Sequence, residues 1–126
     1  MKEKIHTDHA PAAIGPYSQA IRVGNTIYIS GQIPVNPATG NIEAADAAGQ
    51  TKQSLENVKA ILEAAGAGID NVVKTTVLLA DINDFGAMNE IYETYFAEPF
   101  PARAAFQVAK LPKDAKVEIE AVAVLG

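Results

Sequence analysis

Residues 99–124, PFPARAAFQVAKLPKDAKVEIEAVAV, predict a strand, a turn interrupted by Pro112, and a second strand that ends near the C-terminus. Alternate residues of a strand share a face, so Glu118 and Glu120 lie on the same side of this closing strand. Apolar residues occupy both of its sides, a pattern typical of a strand covered on both faces. Arg103 and Glu120 are therefore charges in largely apolar surroundings. Each needs a partner, which is the other charge, water or a ligand.

The composition is typical of one soluble globular domain, and we treat residues 1–126 as a single domain. The chain is 48% hydrophobic and 20% charged, and its net charge of −5 opposes nucleic-acid binding, which requires a basic surface. The lack of cysteine excludes disulfides and a thiol nucleophile, and it fits a reducing compartment. Because neither a signal-peptide core nor a membrane-spanning run is present, we expect a cytoplasmic protein without a membrane partner.

The remainder of the chain predicts strands combined with two amphipathic helices. The predicted elements are an edge strand starting at Ile5, strands over 18–23 and 26–33, a helix from Asp46 to Gly66, a strand over 71–80, a second helix capped by Asp81 or Asn83, and the two closing strands. Gly24-Asn25 favours a tight turn between the second and third strands. The order β-β-(β)-α-β-α-β-β predicts an α+β fold with both helices on one face of a mixed sheet.

The second face of this sheet would have no helix to cover it. The residues predicted to lie there are Tyr28, Ser30, Glu118, Glu120, Val122 and Val124. A large mixed apolar and polar face is not usually left to solvent. We therefore expect another subunit to cover it, with functional sites at the seam between subunits.

Arg103 and Glu120 are the main candidates for chemistry, and each has two interpretations. The planar guanidinium of Arg103 can hold the carboxylate of an acidic small molecule through two parallel hydrogen bonds, or it can form a structural salt bridge to Glu118 or Glu120. Glu120 can orient or deprotonate a water, or it can be that structural partner. Glu118, nearer the turn, is expected to be a solvated charge at the end of the strand.

Other motifs favour no alternative chemistry. His6, Asp8 and His9 lie close together near the N-terminus, but the sequence offers no further strong ligand beside them, so no metal site is predicted. A Gly-x-Ser-x-Gly elbow and a glycine-rich phosphate loop are both absent.

Six segments together resemble the RidA (YjgF) family of reactive-intermediate deaminases, and they cover nearly the whole chain in the expected order. They are IGPYSQAI (14–21), ISGQIPVNPATG (29–40), QSLENVKAILEAAG (53–66), VVKTTVLLADINDF (72–85), MNEIYETYF (88–96) and PARAAFQVAKLPKDAKVEIEAVAV (101–124). The resemblance implies a chorismate-mutase-like fold. It also implies a homotrimer in which the sheets form a central barrel, the helices lie outside, and three sites lie in clefts between subunits.

The resemblance also implies an activity. Family members hydrolyse 2-imino acids and their enamine tautomers, such as 2-iminobutanoate and 2-iminopropanoate, to the 2-oxo acid and ammonia. Pyridoxal-phosphate-dependent dehydratases release these substrates, and the family uses neither a metal nor an organic cofactor. The alternative function is a non-catalytic binder of 2-oxo acids or amino acids that regulates another enzyme. Ribonuclease activity or inhibition of translation, which has been attached to relatives, is the least favoured because the chain is acidic.

Specific residues match the family's functional positions. Arg103 matches the arginine that clamps the substrate carboxylate, and Glu120 matches the glutamate that positions the attacking water. The other implied substrate-binding residues, through backbone or side chain, are Tyr17, Ser30, Gly31, Asn89 and Ala105. The pair Ala104-Ala105 stands where a hydroxyl or thiol residue is expected. A reactive cysteine there is therefore excluded, whereas a backbone contact from Ala105 is retained.

Overall fold

The computed structural model describes all 126 residues, and its elements follow the predicted order. They are β1 (Lys2–Ile5), β2 (Ala20–Val23), β3 (Thr26–Gln32), α1 (Ala47–Ala64), β4 (Val72–Leu79), α2 (Phe85–Tyr95), β5 (Ala102–Gln107) and β6 (Val117–Val124). Short 3₁₀ turns precede β4, α2 and β6. The N-terminal edge strand ends at Ile5 rather than starting there, and the other predicted boundaries differ from the observed ones by a few residues.

The six strands form one mixed sheet in the order β1-β2-β3-β6-β4-β5. All neighbouring strands are antiparallel except β4 and β5, which are parallel and connected through α2. A parallel pair requires such a crossover connection. As a result, β5 and β6 are consecutive in sequence but do not pair, and β4 lies between them.

Both helices pack on the same face of the sheet. Asp46 caps α1 by accepting a hydrogen bond from the backbone N–H of Gly49 at 2.8 Å, and the chain turns away after α1 at Gly66, whose φ is +78°. The apolar side of α1 packs against every second residue of β6. These residues are also buried, and they are Val117, Ile119, Ala121 and Ala123. No helix has the length and apolar character needed to cross a membrane.

The opposite face of the sheet is left open by this chain, as predicted. Tyr28 of β3 is 53% exposed and lies directly across from Val122 of β6, while Val124 is 39% exposed at the end of the same strand. Glu118 and Glu120 occupy the alternate positions of β6 on this face. The open face therefore combines large apolar side chains with two carboxylates.

Candidate functional site

An open cleft of about 770 Å³ borders the open face where β3 and β6 meet. Four of the predicted site residues line it: Tyr17, Ser30, Gly31 and Glu120. Glu118 and Lys113 also line the cleft, and neither was predicted to be part of a site. The cleft therefore offers a hydroxyl, a phenol, two carboxylates and one ammonium group around a single volume.

A bulge in β3 shapes the floor of this cleft. The pairing of β3 with β6 shifts register between Ile29 and Gln32, which leaves Ser30 and Gly31 out of the regular ladder. The Ser30 hydroxyl donates to the backbone carbonyl of Ser18 at 2.6 Å. A Cβ at position 31 would collide with the carboxyl group of Glu118, so glycine leaves the space that this side chain occupies.

Glu118 is half-buried in the cleft, so the expectation that it is a solvated strand-end charge is wrong. Its carboxyl group lies against the backbone of Gly31. Burial, and secondly the neighbouring Glu120 carboxylate, raise the pKa of Glu118 above its ordinary value. A glycine within a strand was the signal that could have pointed to this residue, because it indicates a close approach by another group.

Glu120 is exposed on the same face as Glu118. It lines the large cleft and also a smaller hollow of about 160 Å³ beside it, next to Tyr28 and Lys74. Neither a hydrogen bond nor an ion pair joins its carboxylate to the rest of the chain, since the only two ion pairs are His6–Asp8 and Lys110–Asp114. Glu120 is thus available to water or to a ligand.

Arg103 is held against α2 and lies outside the cleft. Its Nη1 donates to the Oδ1 of Asn89 at 2.7 Å, and its Cζ lies 4.7 Å from the ring centroid of Tyr92 and 5.3 Å from that of Phe85. No carboxylate lies within 4 Å of it, so the structure does not contain the alternative salt bridge to Glu118 or Glu120. The guanidinium is fixed in place and keeps donors free for a ligand.

Phe85 and Tyr92 also support Arg103, and neither was predicted from the sequence to be part of a site. Tyr92 is buried, and its hydroxyl forms a hydrogen bond of 2.7 Å with the hydroxyl of Thr75 in β4. Phe85, Asn89 and Tyr92 follow one another at spacings of four and three residues, so they share one side of α2. That spacing was visible in the sequence, but nothing in it indicated that this side faces Arg103.

The strand register places Arg103 and Glu120 on opposite faces of the sheet. Arg103 aligns with Thr75 of β4, which in turn aligns with Ala121 of β6, and this row faces the helices. Glu120 aligns with Thr76, one residue along β4, and faces away from them. Ala105 aligns with buried Val77 of β4, so it lies on the same face of the sheet as Arg103. One chain alone does not bring Arg103 and Glu120 to the same small molecule.

A buried glutamine fixes the N-terminal loop that forms the wall of the cleft. The Oε1 of Gln19 accepts from the backbone N–H of Thr7 at 2.8 Å, and its Nε2 donates to the carbonyls of Thr7 at 3.0 Å and Pro11 at 2.8 Å. His6 and Asp8 of this segment form an exposed pair at 3.1 Å. No group of three or more His, Cys, Asp and Glu residues is arranged to hold a metal ion.

Comparison with known proteins places the chain in a family. The profile of the family described as endoribonuclease L-PSP matches residues 7–125. The chain belongs to this family. RidA and YjgF proteins are members of it, so the resemblance found in the sequence is confirmed. The human protein named 2-iminobutanoate/2-iminopropanoate deaminase is 58% identical over 126 residues, covering 100% of this chain and 92% of the human protein.

Solved structures of this family confirm the fold. The YjgF gene product of Escherichia coli is 56% identical, with a TM-score of 0.94 over 98% of this chain and 99% of that protein. The Escherichia coli protein TdcF, crystallised with bound serine, is 50% identical, with a TM-score of 0.93 over the same shares of the two chains. The predicted RidA-type fold, with two helices on one side of a mixed sheet, is therefore correct.

Proposed function

We propose that this chain is a 2-iminobutanoate/2-iminopropanoate deaminase, which hydrolyses reactive 2-imino acids to 2-oxo acids and ammonia. The observation that carries the proposal is Arg103, whose guanidinium is held by α2 and has no carboxylate partner within the chain. Such a group is suited to bind the carboxylate that every 2-imino acid carries. The 58% identity to the human deaminase over the whole chain supports the same activity.

The proposed enzyme is a homotrimer with its sites between subunits. Arg103 and Glu120 face opposite sides of one sheet, so a site that uses both requires a second copy of the chain. The open face carries exposed Tyr28 and Val124, which a neighbouring copy would bury. In this arrangement the cleft of one subunit receives Arg103 of the next.

The chemistry requires orientation more than a strong nucleophile. The carbon of an imine protonated on nitrogen is already electrophilic, so water adds to it. The added water then loses one proton, which gives a carbinolamine. The carbinolamine nitrogen is then protonated and its hydroxyl gives its proton to the carboxylate, so that the C–N bond breaks, ammonia leaves and the C=O of the 2-oxo acid forms. Holding the carboxylate on Arg103 while a carboxylate orients the water reduces the entropic barrier. No metal or organic cofactor takes part in this proposal.

Two carboxylates are available to orient the water and accept its proton. Glu120 is proposed from the sequence, and the structure adds Glu118, which is more buried and lies against Gly31. A raised pKa brings the Glu118 carboxyl group closer to the pH at which a general base works best. We expect Glu118→Gln and Glu120→Gln both to slow hydrolysis, with the greater loss marking the group nearer the water.

The remaining substrate contacts come from both sides of the seam. Tyr17, Ser30 and the backbone of Gly31 lie in the cleft, whereas Asn89 and the backbone of Ala105 accompany Arg103. Asn89 uses its amide oxygen to hold Arg103, so its Nδ2 is the group left for substrate. A cytoplasmic location fits the absence of cysteine and a substrate released by a soluble dehydratase.

A coupled assay tests the proposed function. Threonine dehydratase and threonine generate 2-iminobutanoate, semicarbazide traps the free imine, and release of 2-oxobutanoate is followed with and without this protein. We expect faster release and less trapped imine with the wild type, and loss of both effects with Arg103→Ala. Arg22→Ala is the matched control, because Arg22 is the only other arginine and bonds only to the carbonyl of Gly24. Full activity of Arg103→Ala would refute the proposal.

The second candidate is a non-catalytic binder of amino acids or 2-oxo acids that regulates another enzyme. The bound serine of the relative TdcF favours it. It uses Arg103 but needs no positioned water. For such a binder, Glu118→Gln and Glu120→Gln would leave ligand affinity intact, and the wild type would show no hydrolysis. The deaminase, in contrast, should hydrolyse the imine as wild type and lose turnover in both variants.

A further inference from the structure

The side chain of Arg103 contacts three side chains of its own chain, without any partner or ligand. It extends from β5, one of the two edge strands of the sheet, where a long side chain has many rotamers available. Three side chains of α2 restrict it: Asn89 through a hydrogen bond of 2.7 Å, and Phe85 and Tyr92 through their rings at 5.3 and 4.7 Å. These contacts leave four of the five N–H donors of the guanidinium unassigned.

Tyr92 is the best anchored of these three supports. Its hydroxyl bonds to Thr75 at 2.7 Å in the protein interior, and its ring lies 4.5 Å from the ring of Phe96. Thr75 is also the residue aligned with Arg103 in the pairing of β4 with β5. The sheet thus places Thr75 and Arg103 side by side, and Tyr92 contacts both, one through its hydroxyl and the other through its ring.

We propose that Tyr92, anchored by Thr75, is a positioning residue that fixes the guanidinium of Arg103 for binding of the substrate carboxylate. This role rests on the proposed function, in which Arg103 is the clamp. Attraction between a cation and an aromatic face orients the guanidinium plane over the ring and leaves its N–H edges free. Burial raises the pKa of Tyr92 above 10.0, so the phenol stays neutral at physiological pH and keeps its bond to Thr75.

A clamp that is ordered in advance should improve substrate and product binding equally. Loss of the Tyr92 ring should therefore raise KM for the imine and Kd for 2-oxobutanoate, roughly 2- to 30-fold, with little change in kcat. A purely structural residue would instead lower the amount of folded enzyme and leave KM unchanged.

The test follows Arg103 directly by NMR of the arginine Nε–H groups, of which the chain has only two. In the assembled protein we expect Arg103 to be ordered in the wild type and mobile in Tyr92→Leu. The Kd for 2-oxobutanoate, measured by calorimetry, should be higher in Tyr92→Leu than in the wild type.

The double variant Tyr92→Phe/Thr75→Val removes the hydroxyl pair but keeps the packing, so it tests the anchor even if Tyr92→Leu fails to fold. We expect a smaller rise in Arg103 mobility and in Kd. Tyr95→Leu is the matched control, because the hydroxyl of Tyr95 contacts Glu56 and not Arg103.

The outcomes separate this inference from the function on which it rests. Equal Arg103 order in the wild type and in both Tyr92 variants would overturn the positioning role, since that measurement needs neither ligand nor activity. An ordered Arg103 in a wild type that binds no 2-oxobutanoate would instead overturn the clamp, and the positioning role with it. Mobility and a higher Kd in the Tyr92 variants, with Tyr95→Leu unchanged, would confirm it.

Discussion

Arg103 and Glu118 show how individual residues depend on what lies beside them. Both are charged, yet neither has an ion-pair partner in the chain. Arg103 is stabilised by two aromatic faces and an amide oxygen, which leave its charge uncompensated and ready for an anion. Glu118 is half-buried beside a second carboxylate, which makes its ionised form less favourable.

The raised pKa of Glu118 predicts a pH-dependent stability. The folded protein binds the Glu118 proton more tightly than the unfolded chain, in which the pKa is close to 4.5. Stability contributed by this proton is therefore present at low pH and falls as pH rises from about 4.5 through the folded-state pKa. We expect Glu118→Gln to remove that decrease, so that its Tm declines less than the wild-type Tm between pH 4.5 and 7. Identical slopes at equal protein concentration would contradict the prediction.

At the level of elements, the bulge in β3 and the regular strand β6 act together. The bulge brings Gly31 against Glu118 across the β3–β6 pair, and it carries Ser30 into the cleft. Bulges commonly redirect side chains next to functional sites. Here the bulge turns an otherwise ordinary antiparallel pair into the floor of a binding cleft.

This close approach predicts the effect of Gly31→Ala. The added Cβ would lie 2.0 Å from Oε2 of Glu118, so the carboxyl group has to move. That group ends a flexible side chain, so we expect stability to fall by only about 1 kcal/mol. Misplacement of the carboxyl should nevertheless slow imine hydrolysis by roughly 10- to 100-fold. Gly68→Ala, where a Cβ meets open space, should leave both quantities unchanged in the coupled assay and in thermal unfolding. Wild-type activity in Gly31→Ala would show that the position of Glu118 is unimportant.

At the scale of the whole molecule, the sheet divides the candidate site into two halves. The cleft with both glutamates borders the open face, whereas Arg103 is directed toward the helices at the β5 edge. In the proposed enzyme, which needs both halves, activity would be coupled to assembly, because a second copy would supply the missing half. The proposed enzyme should then be inactive as a monomer.

Val122→Asp tests this coupling. Val122 lies opposite Tyr28 in the middle of the open face, and a charge there should not be tolerated in a subunit interface. We expect light scattering to give the mass of three 13.3 kDa chains for the wild type and of one chain for Val122→Asp, with imine hydrolysis lost in the latter. Ile82→Asp introduces the same charge at an exposed apolar residue before α2, and it should stay assembled and active. An active monomer of Val122→Asp would refute the inter-subunit site.

The elements and the two faces of the sheet could be predicted from the sequence because they depend on local patterns. Alternation in residues 117–124 defined which side chains of β6 are buried, and the cap at Asp46 and the glycine at position 66 delimited α1. The family resemblance, carried by segments along the whole chain, added the candidate residues Arg103 and Glu120. Glu118 was misjudged because its burial depends on Gly31, a residue 87 positions away in the sequence.

The sequence by itself determined the α+β order, the buried and open faces, and the candidate pair Arg103 and Glu120, but it left open whether these two charges pair with each other. Only the tertiary structure decided that β4 separates β5 from β6, and therefore that Arg103 and Glu120 face opposite sides of the sheet. It alone showed that Tyr92, Thr75 and Asn89 converge on Arg103. The physical reason is that periodicity fixes the direction of a side chain relative to its own element, whereas its neighbours depend on strand pairing between residues distant in sequence.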